Sequence, residues 1–272
     1  MSNIFALITL TTDFGTRDGY VGAMKGVIHT IAPGAAVEDI THGIPPGDVA
    51  GAALALETFH TFYPPGTVHM VVVDPEVGSS RKAMAVRSGG RFYVGPDNGV
   101  LEAAFDADEH CACRELTGEK YRLEPVSPTF HGRDIFAPAA AHLAAGLRLE
   151  ELGPELGRPV RLEAGHAVAH SPAGGTITGR VVHIDRFGNL VTDIRQEDLG
   201  ALGTEKSRAR ISCCGREILG IVDYYAQGGQ GELVALIGSN GRLEVALRGG
   251  SAAGILGPES SGAVITISKQ RS

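Results

Sequence analysis

Val71-Val72-Val73-Asp74-Pro75-Glu76-Val77-Gly78-Ser79-Ser80-Arg81 is the stretch from which the rest of the chain can be read. Three β-branched residues in succession, with Met70 before them, read as a strand buried on both faces. The apolar run stops at Asp74-Pro75, and a Gly-Ser-Ser turn then delivers Arg81. Open α/β sheets gather their chemistry at the carboxyl ends of their strands, where Asp74 falls. Asp-Pro is also a common turn opener, so the segment alone leaves a structural cap and a functional acid equally open.

Upstream, residues 4–11 form a nearly continuous apolar strand ending at Thr12-Asp13-Phe14-Gly15, which puts Asp13 at a second strand end. Asp18 is placed to cap a helix carrying Val21, Met24, Val27, Ile28 and Ile31 on one face, stopped by Ala32-Pro33-Gly34. A short strand, 36–40, leads through a turn to Asp48, the expected cap of a second helix that buries Ala52, Leu54, Ala55 and Phe59. The order βαβαβ predicts a mainly parallel sheet flanked by helices.

Downstream, 83–88 and 91–95 read as a hairpin about Gly89-Gly90. Pro96-Asp97-Asn98-Gly99 enters a short helix with Leu101, Ala104 and Phe105. The loop Pro128-Thr129-Phe130-His131-Gly132-Arg133-Asp134 opens a longer one through Phe136, Ala140, Leu143 and Ala144. Composition changes over 150–175, where Gly153-Pro154, Gly157-Arg158-Pro159 and Ser171-Pro172-Ala173-Gly174-Gly175 mark a linker. Beyond it, short strands at 176–184, 189–195, 207–213, 216–222, 232–237, 242–247 and 263–268 are separated by Gly-bearing turns. The expected organisation is an α/β domain over 1–165 and a smaller all-β, barrel-like domain over 172–272.

Composition narrows the function classes. Apolar residues make up 43% and charged ones 20% of 272 residues, enough for a sizeable core and against disorder. Net charge is −7 with no basic run, which argues against a nucleic-acid or anionic-membrane partner. No apolar run has the length of a transmembrane helix, and the amino terminus lacks the pattern of a signal peptide; a cytoplasmic protein is expected. Cys111, Cys113, Cys213 and Cys214 lack zinc or redox spacing. Adjacent residues of a strand point to opposite faces, so Cys213 and Cys214 are expected to make a poor shared metal site, and all four cysteines to be reduced and non-catalytic.

The common phosphate-loop, dinucleotide, nucleophile-elbow and zinc-helix motifs are absent. What remains are polar residues at strand ends and in loops: Asp13, Asp18, Asp74, Arg81 and His131, then Asp185-Arg186-Phe187-Gly188-Asn189 and Gly238-Ser239-Asn240-Gly241. A carboxylate, a guanidinium and an imidazole in one pocket can bind and activate water without a metal. Spacing does not show that they meet. By itself His131 reads more readily as a turn or surface histidine than as a functional one, and Asp185, Phe187 and Asn189 can be ordinary β-turn residues.

The residues Thr11-Thr12-Asp13-Phe14-Gly15 with Asp18, Asp74-Pro75-Glu76-Val77-Gly78 with Arg81, Pro96-Asp97-Asn98-Gly99, Thr129-Phe130-His131-Gly132-Arg133-Asp134 and Ile184-Asp185-Arg186-Phe187-Gly188-Asn189 occur in that order. Together they give the chain an end-to-end resemblance to the adenosine-forming S-adenosylmethionine hydrolases, or SAM hydroxide adenosyltransferases, relatives of fluorinase and chlorinase. The resemblance implies a catalytic set of Asp74, Arg81 and His131. It implies Asp13 as the acid gripping the ribose, Phe187 and Asn189 as adenine contacts, and Asp185 and Ser239 at the methionine end, with Asp18 and Tyr224 as looser matches. It implies hydrolysis to adenosine and L-methionine with no cofactor and no metal, in a homotrimer whose sites lie between subunits. The alternatives are a halide-using adenosyl transferase, against which His131 and Arg81 argue, and a non-catalytic sensor of S-adenosylmethionine or a nucleoside. A metal hydrolase is disfavoured by the lack of ligand spacing. One departure stands out: halogenating relatives carry Arg after the serine, where this chain has Asn240.

Overall fold

In chain order the first part of the molecule runs β1 (Leu7–Thr12), α1 (Tyr20–Ile31), β2 (Ala36–Thr41), α2 (Val49–Phe59), β3 (Val68–Val72), β4 (Ala83–Ser88), β5 (Arg91–Pro96), α3 (Glu102–Asp106), β6 (Ala112–Glu115) and α4 (Ala137–Ala144). The second runs β7 (Ala169–His170), β8 (Thr176–Ile184), β9 (Leu190–Arg195), β10 (Ala209–Cys213), β11 (Arg216–Leu219), β12 (Ile221–Val222), β13 (Leu233–Ile237), β14 (Arg242–Leu247), α5 (Ala252–Leu256) and β15 (Val264–Lys269). This computed structural model describes residues 6–106, 111–162, 169–170, 175–203 and 205–269. Residues 4–5 of the expected first strand, and 163–168 and 171–174 of the expected linker, lie outside the described residues. The chain separates into two compact units, Met1–Glu163 and Ala164–Ser272.

In the first unit, β1 and β3 are buried almost throughout because each face of the sheet is covered. Ile8, Leu10, Met70 and Val72 share one core with Met24 and Ile28 of α1 and the alanine-rich α4. Val71 and Val73 point the other way, into a core with Ala52 and Leu56 of α2. Asp48 caps α2 as expected, accepting from Gly51 N–H at 2.9 Å. Asp18 does not cap α1: the capping position is Gly19, which offers no side chain, and the helix starts one turn position later than its sequence suggests.

The six strands run in the order β2-β1-β3-β5-β4-β6. β2, β1, β3 and β5 are mutually parallel, whereas β4 is antiparallel to both β5 and β6. The expected mainly parallel sheet is thus corrected to a mixed one. The cause is local: the connection 73–82 contains no helix, and a parallel return requires a crossover of about a dozen residues or more, usually helical. Reversing β4 also places its beginning beside the carboxyl ends of its parallel neighbours. Arg81, just before β4, is thereby delivered to the same end of the sheet as Asp74, just after β3. β6 went unread in the sequence because only Cys113 of its four residues is buried.

The second unit is one nine-stranded sheet in the order β11-β10-β15-β8-β9-β14-β13-β12, with β7 paired to β8. It curls until β11 comes back against β13, closing round a core of Ile177, Ile194, Ile211, Leu243, Val245 and Ile267. The expectation that Cys213 and Cys214 point to opposite faces is corrected here. Cys213 ends β10, but Cys214 occupies the following turn at φ 48°, which swings its side chain round until the two sulfurs stand 3.8 Å apart as free thiols.

Candidate active site

The connection from β3 to β4 forms an arch over the end of β5, and the sequence 96–99 fills it. Asn98 Nδ2 donates to the Val73 carbonyl at 3.0 Å, and Asp97 N–H donates to the Lys82 carbonyl at 2.8 Å. Both feet of the arch are fixed by one turn. Asp74 and Arg81, one residue inside each foot, face one another, their side chains only 5% and 3% exposed.

Arg81 Nε donates to Asp74 Oδ1 at 3.1 Å and its Nη2 donates to Asp74 Oδ2, a fork-to-fork pair. Nη1 is spent on the Lys82 carbonyl, and the guanidinium lies 5.4 Å from the centre of the Phe136 ring. The same Nη2 reaches His131 Nδ1 at 3.1 Å. A guanidinium only donates, so Nδ1 is the acceptor and the ring proton of a neutral His131 sits on Nε2. Burial first, then the Arg81 charge, holds the His131 pKa below its ordinary value, keeping the ring neutral near pH 7. Burial raises the Asp74 carboxyl above its usual range while Arg81 opposes it; beside a permanent cation it remains the ionised partner.

His131 reaches this pair because the loop before α4 comes close to the arch. Gly78, at φ 83°, lies so near the Pro128 carbonyl that a β-carbon there would stand 2.3 Å from the oxygen. Beyond His131 the chain makes a π-helical turn, Gly132–Phe136, before α4. Pro138 lacks the N–H that would bond the Asp134 carbonyl, and Leu123 N–H takes that acceptor at 2.9 Å. The Asp134 carboxylate, 1% exposed, accepts from Ser127 N–H at 2.8 Å and from Arg133 at 2.6 and 2.9 Å. The histidine loop is therefore tied at both ends.

Asp13 follows β1 at the same end of the sheet, its Oδ2 accepting from Gly47 N–H at 2.8 Å. Gly47 in turn faces Pro75, next to Asp74; a β-carbon on Gly47 would touch the proline ring at 3.7 Å. Asp18 is exposed in the turn before α1 and shows no side-chain hydrogen bond among the described residues. A cleft of about 510 Å³ borders Arg81, lined also by Glu76, Ser80, Lys82, Asp97 and Arg158. No group of three or more His, Cys, Asp and Glu side chains able to hold a metal ion occurs among the described residues.

In the second unit the remaining candidates fall into two groups. Asp185 Oδ1 accepts from the amides of Phe187 and Asn189, each at 2.8 Å, and Oδ2 accepts from Asn189 Nδ2 at 2.8 Å. The block closes on itself, leaving Phe187 outward and 75% exposed. Tyr224 follows β12 and Ser239 follows β13; since these strands pair in parallel, both lie at one end of the sheet. Two neighbours went unread in the sequence. Glu244 is 7% exposed within β14, accepts from Tyr225 Oη at 2.9 Å, and feels the Asp185 charge. Burial raises its pKa and pushes that of Tyr225 up to about 12. The signal was available: a glutamate inside Leu243-Glu244-Val245-Ala246-Leu247 interrupts an otherwise apolar strand.

Against known proteins, the model of the SAM hydroxide adenosyltransferase N-terminal domain matches residues 8–153, and that of the SAM hydroxide adenosyltransferase C-terminal domain matches 179–265. An (R)-S-adenosyl-L-methionine hydrolase of Salinispora tropica is 39% identical over 253 residues, covering 92% of this chain and 93% of its own. One from Thermus thermophilus is 40% identical over 254 residues, covering 90% and 93%. The crystal structure of an uncharacterised conserved protein from Thermotoga maritima superposes with a TM-score of 0.86 at 34% identity, covering 96% of this chain and all of that one.

Proposed function

The chain belongs to the SAM hydroxide adenosyltransferase family, and from that premise we propose that it hydrolyses (R)-S-adenosyl-L-methionine to adenosine and L-methionine. The observation that carries the mechanism is the buried Asp74–Arg81–His131 contact set, with the imidazole proton turned to Nε2 by Arg81. Arg81 and the His131 Nε2–H offer positive charge and a donor to one oxygen, so they favour hydroxide over water. Asp74 fixes the guanidinium plane. With Nδ1 occupied and Nε2 protonated, His131 works as a donor and does not take the proton.

The oxygen forms its bond to the ribose 5′ carbon as the bond from that carbon to sulfur breaks. The electron pair passes to sulfur, which leaves as the neutral thioether of methionine. One proton from water goes to solvent. Such a leaving group needs no general acid; it needs an in-line nucleophile at near-attack distance. Hydroxide and sulfonium neutralise one another, which a water-poor site favours.

Asp13 is assigned the ribose hydroxyls, Phe187 and Asn189 the adenine, and Asp185 and Ser239 the methionine end, with Asp18 and Tyr224 in supporting contact. The same reading includes a homotrimer with sites shared between subunits, no resident metal or cofactor, and a cytoplasmic setting. No helix among the described residues is long and apolar enough to cross a membrane.

The test is incubation of chelator-treated protein with each sulfonium epimer in oxygen-18 water without chloride, followed by mass spectrometry. Labelled adenosine with unlabelled methionine, formed from the (R) epimer, is the expected result. Turnover that stops with chelator, or a 5′-halo nucleoside appearing only when chloride is added, overturns the mechanism. Light scattering of the purified protein should give three times the chain mass.

A further inference from the structure

We propose that His42 is the positioning residue that holds the Asp13 loop in shape for the ribose; this rests on the assignment of Asp13 made above. The need for it arises in the sheet. The pairing of β1 with β2 shifts register between Leu10 and Thr11 and ends at Thr11, and the pairing with β3 ends at Thr12, so no ladder serves the chain beyond. The amides of Phe14 and Gly15, which shape the loop immediately after Asp13, need other acceptors.

His42, 6% exposed, supplies the acceptor for Gly15 itself and holds the threonine hydroxyl that serves Phe14. Its carbonyl accepts from Gly15 N–H at 2.8 Å. Its Nδ1 stands 2.8 Å from Thr12 Oγ1, and that oxygen accepts from Phe14 N–H at 3.2 Å. The threonine hydroxyl still has its proton to give, and the carboxylate beside Nε2 can only accept; the ring proton is therefore assigned to Nε2, and Thr12 donates to Nδ1. Nε2 stands 3.0 Å from Asp39 Oδ1, although off the line of a good hydrogen bond. Asp39 is held from its other side by Lys25 Nζ at 2.6 Å.

His42 touches neither the Asp13 carboxylate nor the Asp74–Arg81–His131 set in any recorded contact. Its effect must pass through Thr12 and the loop backbone. A change at its Nδ1 should thus be felt in ribose binding and hardly at all in the chemical step. A change at Nε2, whose polar neighbour among the described residues is Asp39, should be felt in neither.

The experiment compares His42→Ala, His42→Asn and His42→Gln in full-length protein. It measures KM and kcat for S-adenosylmethionine and, independently of turnover, calorimetric Kd for adenosine. His42→Ala should raise KM and Kd about tenfold with kcat within about threefold of the parent. His42→Asn, whose amide lies near the Nδ1 position, should recover most of that loss; His42→Gln, which reaches toward Asp39, should not. If His42→Ala does not fold, Thr12→Val removes the same hydroxyl bond and should show the same split. Unchanged KM and Kd in both, a loss confined to kcat, or equal behaviour of Asn and Gln overturns the proposal. A lower melting temperature without the Asn-over-Gln order means His42 is structural only, and also overturns it. Parent protein that neither turns over S-adenosylmethionine nor binds adenosine removes the functional reading first, and the proposal with it.

Discussion

The two units carry polar side chains of similar kinds in opposite ways. In the first, Asp74, Arg81 and His131 come from two distant parts of the chain and bond to one another, the side chains of Asp74 and Arg81 almost out of solvent and His131 half-buried. In the second, Asp185 spends its carboxylate within its own turn, on Phe187 and Asn189, and what remains outward is apolar: Phe187 at 75% and Tyr224 at 57% exposure. Buried charge held by distant parts of the chain suits the stabilisation of a reacting oxygen. A rigid turn that presents an aromatic face suits recognition. Under the proposed function, the difference teaches that chemistry and recognition are built by separate means, one by convergence and one by local closure.

The largest test of that contrast is Arg81→Ala. It should lower turnover at least about a thousandfold and, by stranding a buried carboxylate, destabilise the first unit by about 3 kcal/mol. Single-turnover kinetics and urea unfolding check the two parts; near-parental activity would mean that convergence does no chemistry. Next is Gly78→Ala, which leaves every catalytic side chain in place but puts a methyl group against the Pro128 carbonyl at a left-handed φ. Displacing the His131 loop by about an ångström should lower kcat about a hundredfold. If kcat holds, the loop is not located by this contact.

Acid should separate the units further. His69, in β3, is fully buried, bonded to Thr9 Oγ1 at 2.8 Å; burial, then His60 and Arg91, lower its pKa from 6.5 to about 3. Between those values the unfolded chain binds a proton that the folded one refuses. Stability is therefore full above pH 6.5 and falls as pH drops toward 3. At pH 5 the loss should be about 2 kcal/mol, roughly a thirtyfold shift in the folding equilibrium. Urea unfolding at pH 8 and 5 measures it, and His69→Phe should flatten the difference. His183, in β8 of the second unit, is exposed, so amide exchange in acid should quicken in β3 before β9. The smallest effect belongs to Phe187→Ala: about a tenfold rise in KM, with thermal stability unchanged because little packing is lost. A large drop in melting temperature would show that the exposed ring packs on something after all.

What the sequence disclosed follows the same divide. The hairpin at Gly89-Gly90, the Asp48 cap and the strands 176–184 and 242–247 are local patterns, and local patterns are legible. Asp185 to Asn189 was readable as a turn, and it is one. The order βαβαβ was also correct, but it is silent on whether the next strand reverses, so the mixed sheet was missed. That Asp74, Arg81 and His131 meet was invisible to spacing, since it depends on Gly78 admitting Pro128, on Asn98 reaching Val73 and on Pro138 freeing the Asp134 carbonyl. Family resemblance pointed to the trio. The physical reason for it lies in three contacts that no periodicity encodes. Asp18 failed for the converse reason: a good capping residue stood one place too early for the helix that formed.

The arch between β3 and β4 has a consequence for how the molecule is made. β5 lies between the two strands in the sheet yet follows both in the chain, so the arch has nothing beneath it until β5 slots in and residues 96–99 pin its feet. Asp74 and Arg81 can approach one another earlier, but they gain their fixed geometry only at that insertion, a non-local step of the slow kind. On a ribosome, a nascent chain that has emerged only through β4 already contains the acid and the guanidinium and still lacks a site. The acid and the guanidinium stay unset until the central strand is in place, and the His131 loop, which follows β5 in the chain, can complete the set only after that.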